Sequence, residues 1–189
     1  KAGMDRAELS AIGIGVPGFV DSAEGMVLWS STLIERAVPL AALTADRLGV
    51  PVSIDNDANL VALAELWFGA GRSLSDFAVV TIEHGVGMGF VLNHRLYRGA
   101  QRLGMELGHT KVHLDGALCR CGRRGCIEAY AGTYAIWRAA IGADPASLLE
   151  QNPPENCLEV LVSRANAGDP AALRDEARRS LAFRKRTQP

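Results

Sequence analysis

No stretch of the 189 residues is apolar for long enough to cross a membrane, and the opening Lys-Ala-Gly-Met-Asp-Arg-Ala-Glu lacks the apolar segment of a secretory signal. Charge of one sign is also missing: 20 Lys and Arg stand against 21 Asp and Glu, a formal net charge of −1. Without a basic excess, the chain carries no electrostatic drive for binding nucleic acid by itself. There is no internal repeat. These absences point to a cytoplasmic chain with no membrane partner. What is present, 48% hydrophobic and 22% charged residues, suffices to bury a core in one large or two small domains.

Cysteine is scarce as well, with four in all, yet Cys119, Cys121 and Cys126 fall within eight residues. A Cys-x-Cys pair is too close for an ordinary disulfide, and His109 and His113 lie just upstream, so the density is that of metal ligands. Zinc in structural sites takes a closed tetrahedron of thiolate and imidazole, and Gly122 and Gly125 permit the tight turns that such closure needs. His109 follows the flexible Gly108, whereas His113 sits in an alternating Thr-Lys-Val-His-Leu run that reads as a strand. Either histidine would complete the ligand set. Residues 106–128 are thus read as a structural zinc loop, and the distant Cys157 as a core residue.

The remaining chain reads as alternating strands and helices. Residues 11–16 form a short apolar run that suits a buried parallel strand ended by a turn at Pro17 and Gly18. Gly13 and Gly15 do not make a dinucleotide fingerprint, because Phe-Val-Asp rather than a helix follows Gly18. Trp29 to Thr32 is a polar turn with hydroxyls to offer. A helix over 38–49 ends at Gly49, a strand covers 51–54, and Leu60, Leu63, Ala64 and Trp67 recur at helical spacing after Asp55-Asn56-Asp57. That acidic triplet occupies a strand end and a helix start together, where Asp57 could serve as an N-cap or face a ligand. Glu65 is assigned to a solvated or packed face. The strand 78–82 runs into Glu83-His84-Gly85-Val86-Gly87-Met88-Gly89, whose alternate glycines could bring backbone amides to an anion. Residues 127–131 and 133–141 read as helices, 145–154 as a linker, 156–166 as a further helix, and Arg178 to Arg186 as a basic tail.

Glu-x-Gly-His followed by Cys-x-Cys-Gly-x-x-Gly-Cys-x-Glu resembles the signature of the ROK family, which groups sugar kinases with sugar-responsive transcriptional repressors. The segment Gly13 to Asp21, the Asn56-Asp57 junction, the glycine loop and Ala167 to Pro170 resemble further family segments. The resemblance implies an α/β, actin-like ATPase or ribonuclease H-like fold, here incomplete, with a sugar-binding core over 1–145 and a partial helical segment with a tail over 146–189. It implies zinc ligation by His109, Cys119, Cys121 and Cys126. It also implies contact with a monosaccharide or amino sugar through Asn56, Asp57, Glu106, His109 and Glu128, and assembly as a homodimer. Gly85, Gly87 and Gly89 correspond to the family's phosphate loop, with Glu83, His84 and Met88 standing where the kinases carry Gly, Thr and Gly. Met105 stands where the family favours a small residue.

A carboxylate beside a polyphosphate is repulsive by roughly 1–4 kcal/mol at about 4 Å, depending on the effective dielectric. The family's Asp-x-Gly-x-Thr phosphate loop, its C-terminal nucleotide segments and its winged helix-turn-helix are all missing from these residues. The expectation is therefore the sugar-sensing domain of a transcriptional regulator, with DNA bound only through a domain outside this chain. The alternative is a piece of a sugar kinase in which Asp57 is the catalytic base and Mg·ATP the phosphoryl donor.

Overall fold

The computed structural model describes residues 9–100, 105–142 and 153–170. The basic tail, and the expected linker as far as residue 152, lie outside the described residues. The chain divides into two compact units, Lys1–Val79 with Met88–Met105, and Val80–Gly87 with Glu106–Pro189.

In the first unit, β1 (Ile12–Val16) runs parallel to β4 (Val52–Asn56), in a register that sets Gly15 beside Asp55 and Val16 beside Asn56. Between them, β2 (Phe19–Asp21) and β3 (Met26–Trp29) form an antiparallel hairpin, and α1 (Leu40–Leu48) ends at Gly49 in the left-handed conformation. Asp21 shapes the hairpin turn by accepting from the amides of Ala23 and Glu24. In the polar turn after β3, Ser30 Oγ and Thr32 Oγ1 bond each other at 2.8 Å. Val16, Val20, Val27 and Ile54 make the core. The strand over 11–16 is parallel, as expected, but only its Val16 end is buried, since among the described residues β4 is its one ladder partner.

Helix α2 (Asp57–Phe68) follows β4 without a loop. Its buried residues are Ala58 and Ala62, while Trp67 is exposed, so the apolar face is rotated from the one expected through Leu60, Leu63 and Trp67. The cause is Gly89 in β6 (Val86–Leu92): a Cβ there would sit 2.5 Å from both Ala58 O and Ala62 Cβ, so a bare backbone lies on two alanines. Glu65 Oε2 accepts from the amide of Ala70 beyond the end of α2. Strands β5 (Phe77–Ile82), β6 and β7 (Arg95–Tyr97) form one sheet in that order, and β6 and β7 are joined through Asn93 and His94, both at positive φ, as a type I′ turn requires.

The second unit carries the cysteine-rich loop 106–128, α3 (Glu128–Ala131), α4 (Thr133–Ile141) and α5 (Cys157–Asn166), with α4 packed on α5. Cys157 is buried, as expected of a core residue. Thr133 binds Glu83 O through both its amide (2.8 Å) and its hydroxyl (2.6 Å), so the glycine turn is tied to the start of α4. The buried guanidinium of Arg138 donates to Ala129 O and Leu118 O, satisfying carbonyls within α3 and within the cysteine-rich loop. No described helix is long and apolar enough to cross a membrane.

Candidate functional site

The residues 110–114 do not form a strand. Lys111 makes an isolated antiparallel bridge with Cys126, flanked by hydrogen bonds from Ile127 N to Thr110 O and from Val112 N to Gly125 O, and His113 is exposed in the turn that follows. Gly125 has φ +73, and a Cβ there would lie 1.4 Å from His113 O, so this crossing of the loop over itself admits only glycine. His109 closes a short 3-10 turn, Leu107–His109. The loop thereby gathers His109, Cys119, Cys121 and Cys126, whose ligand atoms all lie within 4.8 Å of one another.

Cys119 and Cys126 are fully buried, and Cys121 is exposed. Cys119 Sγ lies 3.7 Å from His109 Nδ1, and Cys121 Sγ lies 3.7 Å from Cys126 Sγ. The edge of a tetrahedron with metal–sulfur bonds of about 2.3 Å is roughly 3.8 Å, so the spacing fits a closed metal site, and three thiolates with one imidazole are the donor set of structural zinc. Nδ1 is the ring nitrogen turned to Cys119 Sγ.

Each sulfur also has a donor from outside the ligand set. The amide of Cys121 reaches Cys119, and that of Arg123 reaches Cys121. The Tyr134 hydroxyl lies 3.8 Å from Cys119 Sγ, and the Lys111 ammonium 3.0 Å from Cys126 Sγ. Burial raises the Cys119 thiol above its ordinary value despite the Cys121 amide. Desolvation about its sulfur, with the adjacent Cys119 and Cys126, pushes Cys121 up to about 11. Burial also pushes Cys126 upward, but Lys111 and the neighbouring ligands outweigh it, and that thiol ends below its ordinary value.

Glu128, the first residue of α3, is buried, with Oε1 taking the Cys119 thiol at 3.5 Å and Oε2 taking the amide of Val86 at 3.2 Å. Its carboxylate therefore joins the metal loop to the turn Glu83–Gly85, where Gly85 leaves its Cβ position 2.8 Å from Oε2. Glu83 and His84 are exposed on that turn, and Glu106 is exposed at the start of the 3-10 turn. Gly87 lies in β6, and Gly89 packs on α2. Met105 has φ +71, a left-handed backbone that costs a side-chain-bearing residue about 1–2 kcal/mol.

In the first unit, the helix cap is Asn56 rather than Asp57: its Oδ1 accepts from Asn59 N at 3.2 Å while its Nδ2 donates to Gly18 O at 3.0 Å. Asp57 is exposed, with Oδ1 taking the amide of Ala58 at 2.9 Å. Its neighbour Asp55 is buried and pairs with Arg98 at 3.1 Å and 2.5 Å, accepting also from Asn59 Nδ2 and Asn56 N. Such a fully bonded buried carboxylate is a strand-end brace. Sequence reasoning singled out neither Asp55–Arg98 nor the Lys111, Tyr134 and Arg138 contacts, because each spans many residues without a motif.

The sequence matches the ROK family over residues 2–184. The chain belongs to the ROK family. ROK relatives include the xylose repressor of Caldicellulosiruptor bescii, 37% identical over 136 residues that cover 72% of this chain and 34% of that protein. The glucokinase of Thermotoga maritima is 42% identical over 135 residues, 71% of this chain and 43% of that one. The chain thus spans roughly a third to two fifths of these ROK proteins. Among solved structures, the ROK glucokinase of Streptomyces griseus in complex with glucose and AMPPNP matches with a TM-score of 0.73 and 34% identity, over 87% of this chain and 56% of that one. The α/β architecture is accordingly that of the actin-like ATPase fold used by ROK sugar kinases.

Proposed function

We propose that this ROK chain is the sugar-sensing portion of a transcriptional regulator, with a structural zinc ion in the loop 106–128 and no phosphoryl transfer of its own. The observation that carries this reading is the acidic character of the glycine turn. Glu83 opens it where the kinases carry Gly, so the turn presents a nucleotide phosphate with an exposed carboxylate.

In this proposal zinc takes His109 Nδ1 and the three sulfurs, leaving no open position for water. The ion fixes the imidazole, and Nε2 is left to bond a sugar hydroxyl. Asn56, Asp57, Glu106 and Glu128 are the other proposed sugar contacts. Asn56 already spends its amide on the helix cap and on Gly18 O, so its further contribution is a remaining lone pair or proton. Because relatives are named xylose repressor and glucokinase, xylose and glucose are the first effectors to test, with N-acetylhexosamines next. DNA binding and dimerisation belong to the longer protein in this reading.

The kinase reading draws on one observation, the exposed Asp57 carboxylate at the start of α2, where a base for a sugar hydroxyl would stand. A coupled assay with Mg·ATP across xylose, hexoses and N-acetylhexosamines separates the two. Sensing predicts binding without turnover, whereas turnover abolished by Asp57→Asn establishes a kinase.

A further inference from the structure

The metal loop has a feature that its ligand set does not require. Three thiolates and a divalent cation leave a net charge of −1, the buried Glu128 carboxylate adds a further negative charge 3.5 Å from Cys119 Sγ, and two of the sulfurs are completely buried. An uncompensated charge in that position is costly. Two of the loop's arginines are spent elsewhere: Arg120 stacks over the Tyr134 ring at 4.2 Å, and Arg124 donates to Gly116 O at 3.3 Å. Among the described residues, Lys111 is the one cationic side chain hydrogen-bonded to a ligand sulfur, with Nζ 3.0 Å from Cys126 Sγ and 2.5 Å from Arg124 O.

Its position comes from the backbone. The bridge between Lys111 and Cys126, and the amide bonds on either side of it, set the two residues opposite each other whatever side chain residue 111 bears. Lys111 itself is exposed at the rim, so its ammonium keeps contact with water while it reaches a buried sulfur.

We infer that Lys111 is a positioning residue of the metal centre, whose ammonium offsets one unit of the surplus negative charge of the bound site through Cys126 and so slows loss of the ion. This rests on the zinc reading above. An outer partner of this kind typically changes metal affinity 10- to 100-fold.

The test uses the full chain loaded with Zn²⁺ or Co²⁺, as wild type, Lys111→Met and Lys111→Arg. Zinc transfer to a chromophoric chelator should be about 10-fold faster in Lys111→Met and return toward wild type in Lys111→Arg, which restores charge and donor. In the cobalt form, removing the ammonium raises the energy of the sulfur electrons, so the thiolate-to-cobalt charge-transfer band of Lys111→Met should move to longer wavelength. A merely structural role through Arg124 O would leave that band in place. Equal transfer rates and an unshifted band in a metal-loaded Lys111→Met overturn the assignment of Lys111 alone. A wild-type chain that takes up neither ion overturns the zinc reading and this inference together.

Discussion

Glu128 accepts the amide of Val86 at 3.2 Å with one carboxylate oxygen and faces the sulfur of Cys119 at 3.5 Å with the other. A single buried side chain thereby ties the metal loop to the first residue of β6.

Replacing it tests the tie. Glu128→Ala leaves the Val86 amide unsatisfied in a buried setting, a loss of about 1–3 kcal/mol. Urea denaturation of the metal-loaded chain should show that loss as a lowered midpoint at unchanged slope. An unchanged midpoint would mean that the bond contributes nothing net.

Two glycines make opposite predictions. Gly89→Ala places a methyl 2.5 Å from Ala58 O and Ala62 Cβ, and overpacking of this kind costs about 1–3 kcal/mol. Gly13 has nothing within 4 Å of its Cβ position, so Gly13→Ala should be neutral or stabilising by up to about 1 kcal/mol. Thermal melts of the pair, side by side, check both.

Met105→Gly should stabilise. Release of the left-handed strain at φ +71 recovers about 1–2 kcal/mol, and the added freedom of glycine in the unfolded chain returns about 0.5–1 kcal/mol of it. A net gain of roughly 0.5–1 kcal/mol is expected, and a lowered melting temperature would show that the Met105 side chain contributes more in packing than the backbone loses in strain.

The raised thiols give a signed pH dependence. Cys119 and Cys121 hold their protons at neutral pH, so metal must displace them, and the apparent affinity rises with pH and falls in acid. Calorimetry in buffers of differing ionisation heat should find about two protons or more released per ion. For the metal-free chain, a folded value above the unfolded one is a contribution present below pH 9.0 and lost as pH climbs toward about 11, the window of Cys121. A metal-free chain whose stability is flat across that window would contradict the shift.

Much of this molecule was legible in local sequence. The Cys-x-Cys-Gly spacing located the cluster of His109 and three cysteines that could hold a metal, Gly49 ended α1, and Cys157, far from that cluster in sequence, is buried. The face of α2 was misread, since helical periodicity cannot foresee a glycine from a distant strand lying on Ala58 and Ala62. Asn56, one residue before the expected cap, took that role because its amide could also reach Gly18 O, 38 positions away. His113 belongs to no strand because the loop must cross itself at Gly125, a constraint that alternation of residue types does not encode.

In the proposed sensor, a metal-ordered loop serves recognition of a sugar. The most direct measurement is calorimetric titration of xylose, glucose and N-acetylhexosamines into the metal-loaded chain and into the same chain stripped by chelator. One binding sugar is expected, with an affinity that falls at least about 10-fold on stripping, because His109 is then no longer held by an ion. Equal affinity with and without metal, or no binder among them for the loaded chain, would contradict it.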